Sequence, residues 1–151
     1  MIDGVRVKQL QRNVDERGFL MELLRSDDEV FQRFGQCYVA LNYPGVVRAW
    51  HWHQEQDDYM AVVKGMVKLA LYDAREGSPT QGQVQELFLG EHSPILVVVP
   101  AGVMHGYKTI GTEPSLLLNL PTQTYSPQAP DEGRLPWNTD RIPYSWDIVF
   151  R

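Results

Sequence analysis

The sequence has almost no cysteine. Its one thiol, Cys37, permits no intrachain disulfide. In the apolar run Cys37-Tyr38-Val39-Ala40-Leu41 it reads as a buried, inert side chain. Long apolar runs are missing too. A stretch such as Ile95–Val99 is far too short to cross a bilayer, so no membrane partner is expected. The opening Met1-Ile2-Asp3-Gly4-Val5-Arg6 has no apolar signal core. There is no excess of basic residues: the net charge is −5 and nothing forms a basic stripe, which argues against nucleic acid as a partner. An anionic small ligand stays open, because a pocket can be locally positive. A reducing, cytoplasmic setting fits these features. No linker, repeat or low-complexity tract divides the chain, so residues 1–151 are expected to form one domain. A domain of this size buries roughly 68–70% of its unfolded surface, enough for one core.

What is present is a series of short apolar runs punctuated by ten prolines and twelve glycines, a pattern of many turns and few helices. The runs expected as strands cover 6–10, 19–24, 36–41, 46–52, 59–63, 67–72, 84–89, 95–99, 106–110 and 116–120. They are rich in Val, Leu and Tyr and are bounded by Gly, Pro, Asp and Ser. This spacing predicts an all-β sandwich or barrel. Lys64-Gly65-Met66 is expected to close a hairpin between 59–63 and 67–72, with glycine taking positive φ. Only Ser26–Gln32 looks helical, on a capping-box pattern of Ser26 with Glu29. Residues 121–151 hold five prolines together with Trp137, Tyr144 and Trp146. Such a tail is expected to be an ordered, irregular strap packed over the rest. The expected layout is therefore N-terminal strands and a short helix in 1–35, a core in 36–120 and the strap in 121–151.

Three of the four histidines fall in patterned places. One segment runs from Gly45 through His51-Trp52-His53 and Asp58 to Gly65; the other is Pro100-Ala101-Gly102-Val103-Met104-His105. Residues two apart on a strand share a face, so His51 and His53 can both point into a small barrel, and the Pro-x-Gly turn can set His105 on a facing strand. Three imidazoles and a carboxylate could hold a divalent metal. A His-x-His pair alone is more often surface or hydrogen-bonded histidine. His92, in the loop Gly90-Glu91-His92-Ser93, reads as solvated. The two segments resemble the two cupin motifs, with Asp58 where glutamate is usual and Thr109 where asparagine is usual; that resemblance implies a jelly-roll fold.

A longer resemblance covers most of the chain. Asp15-Glu16-Arg17-Gly18, Gly45-Val46-Val47-Arg48-Ala49-Trp50-His51, the block from Gly65 through Asp73-x-Arg75 to Gly82, Pro100-x-Gly102-x-x-His105-Gly106-Tyr107, and Tyr125-Ser126-Pro127 with Glu132 and Trp137 follow in order. Together they are similar to the dTDP-4-dehydrorhamnose 3,5-epimerase family. The resemblance implies that His51 removes protons beside a sugar's 4-keto group, which suits neutral imidazole. It implies that Arg17 and Arg48 grip a diphosphate, and that His53, Asp58, His105, Asn119, Tyr125 and Glu132 belong to a substrate site. It also implies a homodimer in which N-terminal strands cross to the partner, with Val5, Val7 and Leu10 as the apolar edge and Arg17 reaching the neighbouring pocket.

The departures are specific. The family's enolate-stabilising lysine aligns with Asp58, its proton-returning tyrosine with Asn119, and His53 replaces a glutamine. The aspartate that orients the base lies in an extension beyond the position of Arg151. Asp58 is therefore expected either to ligate a metal with His51, His53 and His105, or to pair with a histidine in place of that aspartate without any cofactor. Three readings stay open: an epimerase-like cupin acting on or binding a nucleotide-linked 4-keto deoxysugar in polysaccharide or deoxysugar biosynthesis, with His105 or Tyr125 assisting His51; a metal-dependent isomerase or oxygenase; and a non-catalytic carbohydrate-binding cupin.

Overall fold

The structure, a computed structural model, describes residues 1–149. It is an all-β jelly-roll sandwich, as the runs predict, and the described residues include no helix. One sheet is ordered β1 (Arg6–Gln9), β9 (Ile95–Val99), β6 (Asp58–Lys64), β11 (Ser115–Asn119), β4 (Tyr38–Asn42). The facing sheet is ordered β12 (Gly133–Arg134), β5 (Val47–Trp52), β10 (Val103–Ile110), β7 (Met66–Asp73), β8 (Val84–Gly90). A separate ribbon pairs β2 (Arg12–Asp15) with β3 (Gly18–Met21). The β2 strand and the two-residue β12 carried no readable apolar pattern.

Apolar alternation alone would leave each sheet wet on its outer side, yet β6, β7 and β9 are buried on both faces. The inner layer packs Met60, Val62, Val97 and Leu117 of one sheet against Val67, Leu69, Leu71 and Leu89 of the other. Outside the first sheet, Tyr59, Ala61, Leu96 and Val98 are covered by Met21, Leu23, Leu24 and Val30. Outside the second, Trp50 and Ala70 are covered by Ile142, Tyr144 and Trp146 of the expected strap. Two covered faces explain why these strands read as continuous apolar runs.

Four expectations change. Residues Ser26–Gln32 form turns instead of a helix. Their polar groups are spent on tertiary partners: the Tyr59 hydroxyl donates to the Val30 carbonyl and accepts from the Gln32 amide, and the Asp28 carboxylate takes the Arg25 amide and the Lys8 ammonium. Lys64-Gly65-Met66 does not close a hairpin, because β6 and β7 lie in opposite sheets. Gly65, at φ +69°, turns the corner between them where a Cβ would come within 2.5 Å of the Pro114 carbonyl oxygen. Cys37 is exposed, since it stands just before the edge strand β4, whose outward side chains Val39 and Leu41 are uncovered. Val5 and Leu10 are buried in their own chain's core, with Val7 packed against it, so these apolar side chains are covered within the chain while β1 remains the edge strand of its sheet. His92 is exposed, as expected. Among the described residues no helix is long and apolar enough to cross a membrane.

Candidate active site

The site lies in a cleft between β5 and β10 of one sheet and β4, β6 and β11 of the other. On a regular strand, Arg48 and His51 would face opposite sides, being three residues apart. Here both line the cleft. The β5–β10 register runs from Tyr107 opposite Arg48 to His105 opposite His51, so β5 carries one extra residue, a bulge. Gly106 makes room for it: a Cβ there would sit 2.2 Å from Cβ of Ala49. His53, two residues beyond His51, also lines the cleft, and so does the buried His105.

The strap supplies what the neighbouring strands lack. Strand β12 pairs with the end of β5, setting Gly133 opposite Trp52 and Arg134 opposite His51. Gly133 passes close against the Trp52 indole, where a Cβ would come within 2.1 Å of the ring. That close passage delivers Glu132, whose Oε1 accepts from Nδ1 of His51 at 2.9 Å. A carboxylate only accepts, so the proton sits on Nδ1 and Nε2 of His51 keeps its lone pair. Burial, aided by the neighbouring His105, pushes the His51 pKa down against the pull of Glu132, favouring the neutral ring. Burial alone would raise the Glu132 carboxyl, but hydrogen bonding from Arg134 at 2.8 Å and the nearby His51 hold it below its ordinary value.

Asp58 pairs with histidines, as one sequence expectation had it, but its partners are His53 and His105 and not His51. It is almost wholly buried, and its Oδ2 stands 3.2 Å from Nε2 of His53 and 3.2 Å from Nε2 of His105. Its Oδ1 accepts from Gln56 at 2.8 Å. Burial works against its charge, but His105 and His53 outweigh that and hold the carboxyl far below the usual range. Burial likewise works to lower the His53 ring, and the Asp58 carboxylate reverses this and raises it. His51 does not join this cluster. The four-ligand metal set is therefore corrected to three donors, and the carboxylate that orients His51 is Glu132 instead of Asp58.

Asn119 is buried, and its side-chain amide donates to the Tyr38 hydroxyl at 3.0 Å. The two residues are direct cross-strand partners on β11 and β4. Tyr38 thus brings a phenol to the cleft wall opposite His51, and burial raises its pKa so that it stays protonated. Sequence reasoning missed this residue; the one available signal was its place in register with Asn119, which needs the fold. Arg48 lies on the cleft with Nε donating to Asn42. Tyr125 is exposed and lines a second cleft that shares Tyr38, His53 and Glu132 with the first, so it is adjacent to the site and not beside His51. Arg17 is not brought in. It lies in the exposed β2–β3 turn, held by Asp15. Thr109 is buried and bonded to Ser115 at 2.8 Å, away from the cleft.

Comparison with known proteins gives a consistent picture. Residues 1–151 match the family described as dTDP-4-dehydrorhamnose 3,5-epimerase. The "Spore coat polysaccharide biosynthesis protein SpsL" of Bacillus subtilis is 42% identical over 151 residues, 100% of both chains. The "Probable low-salt glycan biosynthesis epimerase Agl13" of Haloferax volcanii is 47% identical over 148 residues, 97% of this chain and 95% of the relative. The crystal structure of a dTDP sugar isomerase from Desulfovibrio desulfuricans G20 superposes with a TM-score of 0.91 at 30% identity, covering 96% of this chain and 92% of that one.

Proposed function

We propose that this chain, which belongs to the dTDP-4-dehydrorhamnose 3,5-epimerase family, epimerises a nucleotide-linked 4-keto deoxysugar used in surface-polysaccharide synthesis. The carrying observation is the His51–Glu132 pair in a cleft whose opposite wall holds Tyr38. The ketone acidifies its α-carbons, Nε2 of His51 takes a proton from one face, and the Tyr38 hydroxyl returns one from the other. Proton removal and return on opposite faces inverts the carbon. Glu132 fixes the His51 tautomer and steadies the imidazolium as it forms. Arg48 offers a guanidinium fork for the diphosphate.

A homodimer completes the reading. The β2–β3 ribbon presents exposed Val14, Phe19 and Leu20, and the outward side of β4 presents Val39 and Leu41. Exposed apolar patches of this kind favour burial against a second copy. In such a pair Arg17, at the ribbon tip, reaches the partner's cleft and supplies a second diphosphate cation. A cytoplasmic setting accords with the single exposed thiol.

The test is solvent exchange. Protein is incubated in deuterium oxide with a dTDP-linked 4-keto-6-deoxy sugar, and deuterium at the α-carbons is followed by NMR. Exchange is expected with the native chain and not with His51→Asn. Tyr38→Phe is expected to keep exchange while losing inverted product, because the base can still remove and replace a proton on one face. Exchange by His51→Asn at the native rate would defeat the reading.

A further inference from the structure

The geometry points to a divalent transition-metal site formed by His53, Asp58 and His105. The three donor atoms, Nε2, Oδ2 and Nε2, lie within 4.8 Å of one another. Both imidazoles turn the same way. Nδ1 of His53 contacts the Asp131 carbonyl, and Nδ1 of His105 lies 3.2 Å from the Val103 carbonyl. A carbonyl only accepts, so each Nδ1 carries a proton and each ring presents Nε2 to the same carboxylate oxygen. Neutral rings would then aim two lone pairs at an anion, each from 3.2 Å. Two imidazoliums would instead surround one carboxylate, leaving a surplus positive charge at a site where Asp58 is 2% and His105 6% exposed.

The other carboxylates nearby have their own hydrogen-bond partners, and of them Asp131 acts on His53 through its charge. Glu132 is engaged by His51 and Arg134, and the Asp131 carboxylate takes the Gln54 and Glu55 amides. A divalent cation between the three atoms resolves the conflict, since it is coordinated by lone pairs that otherwise oppose one another. The spacing suits it. Bonds of about 2.1 Å place neighbouring ligands about 3.0 Å apart in an octahedron and about 3.4 Å apart in a tetrahedron. The two histidine–Asp58 edges of 3.2 Å fall between these values, and the two imidazole nitrogens lie within 4.8 Å of each other. The surroundings also suit it. Each ring is steered by a backbone carbonyl, and the second Asp58 oxygen is held by Gln56. Two imidazoles and one carboxylate leave coordination positions open toward the cleft, and the set suits zinc or ferrous iron. His51 stays outside it, its Nδ1 bound to Glu132. A role for the ion as an electrophile beside the His51 base rests on the epimerase reading; its binding does not.

The test uses tag-free protein stripped with EDTA, freed of chelator, and titrated with zinc chloride by calorimetry and cobalt chloride by visible absorption. One zinc per chain, a cobalt d–d spectrum and a melting temperature raised by zinc are expected. Asp58→Asn and His53→Gln are each expected to weaken zinc binding by at least about 100-fold, and His51→Gln to change it less than about threefold. Should those ligand variants fail to fold, native stoichiometry and the zinc-dependent melting shift decide the matter alone. The proposal is overturned if native protein takes up no zinc or cobalt saturably, or if His51→Gln weakens binding as much as Asp58→Asn. Deuterium exchange by the stripped protein is read separately, so failure of metal binding and failure of the epimerase reading give different results.

Discussion

In the proposed reaction Glu132 acts only through His51, and two substitutions probe that link by different physics. Glu132→Gln keeps an oxygen near Nδ1 but removes the charge that stabilises the imidazolium. A hydrogen bond to a charged group contributes about 1.5–3 kcal/mol. At about 1.4 kcal/mol per tenfold in rate, the loss in kcat is about 10- to 150-fold. Because Glu132 positions the base and does not grip the diphosphate, KM should change less than about twofold. Gly133→Ala leaves Glu132 intact but sets a methyl 2.1 Å from the Trp52 ring, so the strap has to lift and carry the carboxylate away from His51. Both variants should retain a cooperative melt. The assay is steady-state deuterium wash-in, with melting followed by circular dichroism. Since both changes break one contact, the double variant should be little worse than Glu132→Gln alone. A kcat within twofold of native for Glu132→Gln, or losses that multiply fully in the double variant, would refute the reasoning.

The remaining expectations concern the scaffold and assembly. Asp73 is fully buried and accepts from the Arg75 amide and guanidinium, Ser78 and Thr80, closing the β7–β8 turn; Asp73→Asn should cost about 3 kcal/mol, or about 6–12 °C in melting temperature. Hydrogen bonding from Arg75 leads the causes that hold the Asp73 carboxyl below its usual value. Its stabilisation is therefore present above the unfolded pKa, near about 4, and is lost as pH falls, so the gap between native protein and Asp73→Asn should narrow in melts at low pH. Trp146 packs on Trp50 at 5.1 Å and donates to the Trp137 carbonyl; Trp146→Ala should cost about 3–5 kcal/mol in urea titrations, and an unchanged midpoint would mean the strap is not held there. Light scattering at micromolar concentration should give twice the chain mass, and a monomer would remove the proposal that Arg17 serves a partner's cleft.

The strands were legible because burial leaves its mark on neighbouring residues. Valine, leucine and tyrosine runs between turn residues placed β5–β11 within a few residues, and the strap announced itself by aromatics that need cover, of which Trp146 is buried on Trp50. The cluster of His53, Asp58 and His105 was likewise visible in the spacing of two motifs. Local propensity misled where distant partners won. Ser26–Gln32 has a helix-capping pattern, but Tyr59 and Lys8 claim its polar groups. Gly65 reads the same in a hairpin and in a corner between sheets, because both need positive φ.

The sequence by itself determined the sandwich and the histidines that meet in the cleft, since both are carried by residue types at short spacings, and the ordered motifs along the chain carried the resemblance to the family. Tertiary structure alone decided the division of labour among those residues. Glu132 reaches His51 across 81 positions of chain because Gly133 lies on Trp52, Tyr38 faces the cleft because β4 pairs with β11, and Arg48 shares a side with His51 because Gly106 admits a bulge. Each outcome depends on a pairing register or a close approach between distant segments, and neither is encoded in the periodicity of any one segment.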